Sequence, residues 1–209
     1  MTYRIKEIYF TQQGEGKNTG RDFVFVRFSG CNLWSGKEKN RESAICKFCD
    51  TDFYGVNGIN GGIYEAKELI EIIKSLWVAD TSPISVVLTG GEPLLQLDDE
   101  LVTEFKKEAI YIAVETNGTL EAPKGIDWIC MSPKAGTEIK LKAGSEIKVI
   151  YPQKNLEPAE FSDLDFKNFF IQPMDSQELE ANVAKSIKFC MDNPKWRLSL
   201  QTHKILGIR

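Results

Sequence analysis

Three of the chain's five cysteines, Cys31, Cys46 and Cys49, form a C-x14-C-x2-C pattern. The two residues between Cys46 and Cys49 allow both sulfurs to face one metal centre from a tight loop. A cluster of four irons needs four ligands, so three local cysteines would leave one iron open to bind a substrate or cofactor. The spacing therefore predicts metal chemistry at this loop, with an iron–sulfur cluster as the first interpretation.

Zinc is an alternative for these cysteines. A zinc site of three cysteines and one histidine would need His203, the only histidine, which lies far along the chain, whereas zinc knuckles usually pair locally. Simple packing is a second alternative, although the segment is rich in Gly, Ser, Lys, Asp and Asn and does not resemble a core. Cys130 and Cys190 are expected to be bystanders, because they lie in an apolar strand and on an apolar helix face.

Composition limits the class of protein. With 209 residues and 42% hydrophobic content, the chain can bury a full core, and we expect a single domain over residues 1–209. The formal net charge is −4 and no long run of Lys or Arg occurs, so neither nucleic acid nor an anionic membrane is an expected partner. No apolar run approaches the roughly 20 residues that cross a bilayer, and "MTYRIKEIYF" has no apolar signal core. We therefore expect a cytoplasmic protein.

Short apolar runs alternate with helical patterns along most of the chain. The predicted strands are residues 23–28, 84–89, 111–116, 128–132, 147–151, 169–173 and 197–202, and the predicted helices are 65–77, 94–108 and 176–192. The order predicts an α/β fold with a curved, mostly parallel sheet. Eight strand–helix units need about 250 residues, so we expect a partial barrel of about six units. Residues 32–45 would be an insertion in the cysteine loop.

Polar and glycine-rich motifs follow the predicted strands. They are TGGEP at 89–93, ETNGT at 115–119, SPK at 132–134, QPMD at 172–175 and THK at 202–204. Ligands bind at the carboxyl ends of parallel strands in folds of this class, so these motifs are expected to share one site.

Two charged residues near the N-terminus have the chemistry to bind a ligand. Glu15 in QGEG can accept two parallel N–H donors of an aminopyrimidinone ring, with Gln13 and Gly14 adding amide and backbone groups. A plain surface turn is the alternative. Arg27 interrupts an apolar strand, which favours an anionic ligand as its partner, or else a protein carboxylate.

The motifs together resemble a known superfamily. Phe48 before Cys49 and the GGE of TGGEP resemble the radical S-adenosylmethionine (radical SAM) superfamily, whose usual cluster motif is C-x3-C-x-aromatic-C. The gap between the first two cysteines, Cys31 and Cys46, is longer here. Because the entropy cost of closing a loop rises only slowly with its length, Cys31 can still reach the cluster. From Ile8 to the C-terminus, the ordered motifs QGEG, C-x14-CKFCDTDF, TGGEP, SPK, QP and THK resemble the 7-carboxy-7-deazaguanine synthase family.

That resemblance implies an activity. It implies a radical SAM carbon–nitrogen lyase that converts 6-carboxy-5,6,7,8-tetrahydropterin to 7-carboxy-7-deazaguanine with loss of ammonia, on the way to queuosine. It also implies a 4Fe–4S cluster, S-adenosylmethionine and Mg²⁺, an electron donor such as flavodoxin or ferredoxin, and a homodimer. The rivals are a glycyl-radical-enzyme activase, which would need no pterin-binding Glu15 and Arg27, and a non-catalytic zinc or iron–sulfur module.

The resemblance also implies roles for individual residues. No catalytic side chain is implied, because the radical forms on the cofactor. The implied metal residues are Cys31, Cys46 and Cys49 for the cluster and Thr51 for Mg²⁺. The implied cofactor residues are Phe48, Cys49, Asp50, Gly90, Gly91, Glu92, Ser132, Pro133, Lys134, Gln172, Pro173, Met174 and Asp175. The implied substrate residues are Gln13, Gly14, Glu15, Arg27, Thr89, His203 and Arg209.

Overall fold

The computed structural model describes residues 1–79 and 83–208. The strands are β1 (Thr2–Gln12), β2 (Asp22–Phe28), β3 (Gly62–Glu65), β4 (Ser85–Gly90), β5 (Tyr111–Thr116), β6 (Trp128–Met131), β7 (Ala143–Tyr151), β8 (Asp165–Pro173) and β9 (Arg197–Leu198). The α-helices are α1 (Ala66–Leu76), α2 (Asp99–Lys107), α3 (Leu179–Asp192) and α4 (Thr202–Leu206). None of the helices in this part of the chain is long and apolar enough to span a membrane.

The described strands form one nine-stranded sheet in the order β3-β1-β2-β4-β5-β6-β7-β8-β9. From β2 onward, neighbouring strands run parallel, whereas β1 is antiparallel to both β2 and β3. The predicted α/β class with a mostly parallel sheet is confirmed. The predicted strand–helix repeat is incomplete, because the β5–β6, β6–β7 and β7–β8 connections contain no α-helix. Each of the three contains at least one proline, which disfavours a helix interior.

The two faces of the sheet have different chemistry. One face packs beneath α1 and α2, where alternate residues of β2 such as Val24 and Val26 join the largest core cluster. The other, called here the inner face, starts with an apolar floor that includes Phe23 and Phe25. Because side chains alternate along a strand, the next residue of β2 on the inner face is Arg27. The inner face therefore changes from apolar to polar toward the carboxyl ends of the strands.

Several predicted element boundaries were wrong. Strands β1 and β3 were not predicted. The helix predicted over 94–108 is a 3-10 turn at Pro93–Leu95 followed by α2, because the Asp98 carboxylate accepts a hydrogen bond from Leu101 N (2.9 Å) and starts the helix there. The strand predicted over 197–202 ends at Leu198, and Thr202 begins α4.

The buried side of α3 is partly polar, although an apolar face was predicted for this helix. Apolar residues of α3 at helical spacing, such as Ile187 and Met191, are exposed, whereas Asn182 and Ser186 are buried. The reason is a polar connection to the end of β8: Asn182 Nδ2 donates to Met174 O (2.9 Å), and Ser186 Oγ donates to Asn182 O (2.7 Å). Satisfied polar groups thus take the buried positions of this helix.

Candidate active site

A cavity of about 480 Å³ opens at the carboxyl ends of the parallel strands, on the inner face. Nearly all residues that the sequence predicted for the cluster, magnesium, cofactor and substrate line this one cavity. Two do not line it, Glu92 and Pro133. Arg209 lies outside the described residues. The structure thus brings together motifs that are separated by almost the whole length of the chain.

The three clustered cysteines reach the cavity from the loop after β2. Cys46 is buried, and Cys31 and Cys49 are partly buried. Burial raises the pKa of the Cys31 and Cys49 thiols. Across residues 1–79 and 83–208, no three His, Cys, Asp or Glu side chains are grouped as they would be around a single metal ion. Three thiols facing one cavity are a donor set that fits an iron–sulfur cluster.

The TGGEP motif brings two strand ends into close contact. A Cβ atom at Gly91 would lie 2.0 Å from Gly30 O, so only glycine permits this approach, and Gly90 has a φ of 130°. Glu92 is fully buried, and its carboxylate accepts hydrogen bonds from Thr116 Oγ1 (2.8 Å) and Asn117 N (2.7 Å). Glu92 therefore joins the TGGEP and ETNGT loops, a placement that differs from the cofactor contact expected from the sequence.

The Glu15 side chain forms part of the cavity wall, where two hydrogen-bonding partners hold it. Lys148 Nζ forms a short ion pair with its carboxylate, and Gln201 Nε2 donates to Glu15 Oε1 (2.9 Å). Burial raises the pKa of the Glu15 carboxyl, but Lys148 and Gln201 outweigh burial and lower that pKa to about 2. Glu15 is therefore an ionised acceptor at neutral pH, and not the plain surface residue of the alternative interpretation.

The neighbours of Glu15 fix the QGEG loop. Gln13 uses both ends of its amide internally: Nε2 donates to Glu115 Oε1 (3.0 Å), and Oε1 accepts from Glu15 N (3.1 Å). Gly14 O accepts hydrogen bonds from Thr202 N (2.9 Å) and Thr202 Oγ1 (3.0 Å). These bonds end the extended chain after β9 and start α4, which places the His203 ring directly against Gly14.

Arg27 has protein partners in addition to its place in the cavity lining. Its Nε donates to Glu7 Oε1 (2.9 Å) and its terminal nitrogen donates to Tyr9 Oη (3.1 Å). The carboxylate pairing that the sequence left as an alternative is therefore present. Its position on the cavity wall still leaves it beside any ligand bound there.

Two charged residues on the inner face, Glu115 and Lys148, were given no individual role from the sequence, although Glu115 begins the ETNGT motif that was expected at the site. Glu115 accepts hydrogen bonds from Gln13 Nε2 and from Thr89 Oγ1 (2.9 Å), and Lys148 Nζ lies 3.8 Å from Glu115 Oε1. Lys148 is only 5% exposed. The available signal was a charged residue at an alternate position of an apolar strand, the same signal that marked Arg27.

Cys130 was expected to be a bystander, and the structure shows it among the residues that line the cavity. Its thiol donates to Glu146 Oε1 (3.3 Å). Burial raises the pKa of the Cys130 thiol well above its usual range, so it is a neutral donor. Cys130 therefore belongs to the floor of the site beside Lys148, though nothing groups it with the three clustered cysteines.

Helix α4 closes one side of the cavity through Lys204. Lys204 Nζ donates to Asp50 Oδ2 (2.6 Å) and to Asp175 Oδ2 (2.5 Å), and thereby links α4 to the cysteine loop and the end of β8. Lys134 also lines the cavity, and its Nζ donates to Ser132 Oγ (2.7 Å). Burial lowers the pKa of Lys134.

The Glu15 ion pair predicts a pH dependence of stability. Because the folded pKa of about 2 lies below the ordinary value of 4.5, Glu15 stabilises the fold above pH 4.5 and loses this effect as the pH falls toward 2. We expect the free energy of unfolding of the wild type, relative to Glu15→Gln, to fall by roughly 2 kcal/mol between about pH 7 and about pH 3. Urea unfolding of the metal-free proteins measures this. A difference that stayed constant with pH would contradict the assignment.

The chain is similar to known proteins in both sequence and fold. Residues 40–157 match the radical SAM superfamily. The chain is 53% identical to 7-carboxy-7-deazaguanine synthase of Bradyrhizobium diazoefficiens and 49% identical to that of Caulobacter vibrioides, in each case over 100% of both chains. The fold is similar to the crystal structure of QueE from Escherichia coli, with a TM-score of 0.73 and 24% identity over 96% of this chain and 94% of that one.

Proposed function

The chain belongs to the radical SAM superfamily and, within it, to the 7-carboxy-7-deazaguanine synthase family, and from that premise we propose its reaction. The enzyme converts 6-carboxy-5,6,7,8-tetrahydropterin to 7-carboxy-7-deazaguanine with loss of ammonia, in the biosynthesis of queuosine. The observation that carries the proposal is sequence identity: along the whole chain, about half of all residues are identical to those of synthases with this name.

The residues present fit the cofactors that membership of this superfamily implies. Cys31, Cys46 and Cys49 would hold a 4Fe–4S cluster, since all three line the cavity. Gly91 packs against the Gly30 backbone and lines the cavity, so its own backbone would be available to S-adenosylmethionine. When bound, the cluster and S-adenosylmethionine supply a carbon-centred radical that can abstract a hydrogen atom from a substrate. The chain's own contribution is to bind, orient and enclose the reactants.

The cofactor surface extends from the cysteine loop to the ends of β6 and β8. Asp50 and Asp175 are held together by Lys204, and Ser132 is held by Lys134. These side chains line the cavity together with Phe48, and they would provide hydrogen-bonding groups for S-adenosylmethionine. The lysines place the acceptors before the ligand arrives, so less ordering is needed on binding.

Glu15 is the group that would recognise the pterin edge. An ionised carboxylate has about four acceptor positions, and Lys148 and Gln201 occupy two of them. The remaining positions accept the parallel N–H donors of the aminopyrimidinone ring. Lys148 keeps the carboxylate charged and fixes its orientation, which makes Lys148 a positioning residue.

The substrate carboxylate would bind at Arg27 and Thr51, which line the same cavity. Arg27 has five N–H donors, and its bonds to Glu7 and Tyr9 leave donors for an anion in the cavity. Thr51 would hold Mg²⁺, for which a hydroxyl and substrate oxygens are suitable ligands. Thr89, His203 and the QGEG backbone would contact the ring, and Arg209 would complete the site.

The remaining expectations concern the setting of the enzyme. We propose that it acts in the cytoplasm as a homodimer of single-domain chains, and that a small redox protein such as flavodoxin or ferredoxin supplies the electron. The activase rival would require a groove for a peptide, whereas the cavity wall here carries Glu15 and Arg27.

The proposal is tested by product formation. The anaerobically reconstituted protein is incubated with dithionite, S-adenosylmethionine, Mg²⁺ and 6-carboxytetrahydropterin, and mass spectrometry follows 7-carboxy-7-deazaguanine. We expect many product molecules for each S-adenosylmethionine consumed. Accumulation of 5′-deoxyadenosine without the deazaguanine would keep the superfamily and overturn the substrate.

A further inference from the structure

The insertion between the first and second cysteines brings an unusual tryptophan to the cavity. Among the side-chain nitrogen and oxygen atoms of the described residues, Trp34 Nε1 is the one that is buried without a hydrogen-bond partner. Trp34 is 8% exposed and lines the cavity together with Cys31 and Cys46. Buried indole N–H groups normally have a partner, because leaving a donor unpaired away from water is unfavourable. The unpaired N–H therefore indicates that an acceptor belongs beside it.

The indole ring is held in place by its neighbours. The Phe53 ring meets it edge-on, at 5.4 Å between centroids and an angle of 90°. The Arg41 guanidinium lies 4.0 Å from the centroid of the indole ring, a cation–π contact. Arg41 is itself fixed, since it donates to Lys47 O (2.9 Å) and Cys49 O (3.1 Å). The insertion thus folds back on the cysteine loop, and the ring cannot easily turn its N–H toward solvent.

The Cys31 sulfur is an acceptor that lies close to the segment containing Trp34. Leu33 N donates to Cys31 Sγ (3.4 Å), and the backbone N–H of Trp34 also lies against that sulfur. The chain just after Cys31 therefore already directs two backbone donors at a cluster ligand. The indole N–H belongs to the same short segment, and Trp34 is one of the residues that line the cavity.

We propose that the indole N–H of Trp34 donates a hydrogen bond to a sulfur of the bound cluster or of its cysteine ligands, and so raises the reduction potential of the cluster. The proposal deepens the proposed function and rests on the assignment of the three cysteines to a cluster. One electron from the external donor makes the cluster and its ligands more negative. A donor hydrogen bond to sulfur therefore stabilises the reduced form more than the oxidised form.

The first test is a redox titration monitored by electron paramagnetic resonance, on anaerobically reconstituted wild type, Trp34→Phe and Trp196→Phe. We expect Trp34→Phe to bind the same amount of iron as the wild type. The reduction potential of its cluster should be about 59 mV more negative, which for one electron means about tenfold less reduced cluster at a fixed solution potential. Trp196→Phe is the matched control, because Trp196 is also buried but its Nε1 donates to Ser162 Oγ (3.2 Å). An unchanged potential in Trp34→Phe would overturn the proposal.

The second test needs no folded variant to be informative. Wild-type protein labelled with ¹⁵N in its tryptophan indoles is reduced, and pulsed electron paramagnetic resonance searches for ¹⁵N coupled to the cluster spin. We expect one coupled indole nitrogen, lost in Trp34→Phe and retained in Trp196→Phe. Absence of any coupled indole in the wild type would overturn the role of Trp34 while the cluster assignment stood. Failure of the wild type to assemble a cluster would overturn the proposed function and, with it, this proposal.

Discussion

Replacement of Cys46 by alanine will abolish synthesis of 7-carboxy-7-deazaguanine. Cys46 is the buried member of the three cavity-lining cysteines, and in the proposed site its loss removes one of the three thiolates that would hold the cluster. Without a third thiolate the cluster does not assemble stably, and no radical forms. We expect turnover to fall by at least about 1,000-fold, together with loss of the cluster's visible absorption. Anaerobic iron analysis and the product assay measure both effects.

The control for Cys46→Ala is Cys190→Ala. Cys190 is partly buried on α3 and does not line the cavity, so the same chemical change there should leave iron content and turnover unaltered. A Cys46→Ala protein that bound a full cluster and retained turnover would show that the cavity thiols do not hold it. Zinc in the wild type in place of iron would contradict the cluster as well.

Replacement of Lys148 by methionine will weaken both the fold and substrate binding. The change leaves the carboxylates of Glu15 and Glu115 in the cavity wall without their shared cation. Removing one partner from a buried ion pair typically costs about 3–5 kcal/mol, and the partial exposure of the two glutamates places this case near about 3 kcal/mol. Reorientation of Glu15 should also lower kcat/KM for the pterin by at least about tenfold. Urea unfolding and steady-state kinetics test these two effects.

A matched control and a double variant separate the two effects of Lys148→Met. Lys142→Met makes the same change at an exposed lysine just before β7, and it should alter neither quantity. Adding Glu15→Gln to Lys148→Met removes the stranded charge, so the double variant should be more stable than Lys148→Met alone. Strict additivity of the two single changes would show that Glu15 and Lys148 do not act as a pair.

The location of the site was predictable from the sequence because its signals are local. Glycine motifs at strand ends and the C-x2-C loop predict where backbone must approach a ligand or metal. The parallel order of the strands then brings those ends to one edge of the sheet. For this reason distant segments such as QGEG and THK meet in the cavity, and Gly14 contacts His203.

The partners of the charged residues were harder to predict, because they depend on pairing across strands. Register places Glu115 opposite Cys130 and Cys130 opposite Glu146. The spacing within each strand shows only that each residue lies on the inner face, and not which carboxylate meets which cation. Arg27 is the clearest case, because its neighbour Glu7 lies on β1, a strand that the sequence did not reveal.

Individual hydrogen bonds between distant segments also determined the element boundaries that the sequence patterns placed wrongly. The two hydrogen bonds from Thr202 to Gly14 O outweigh the tendency of residues 197–202 to continue as a strand. On α3, the bond from Asn182 to Met174 O sets which side of the helix is buried. Tertiary partners of this kind override apolar spacing, and they are visible only once the fold is known.

The most direct test of the central claim is an anaerobic crystal structure of the reconstituted protein with S-adenosylmethionine and the pterin, using anomalous scattering at the iron edge. We predict a four-iron cluster on Cys31, Cys46 and Cys49, with the pterin edge at Glu15 and its carboxylate at Arg27. A single zinc ion on these cysteines, or a pterin bound away from Glu15 and Arg27, would contradict the account.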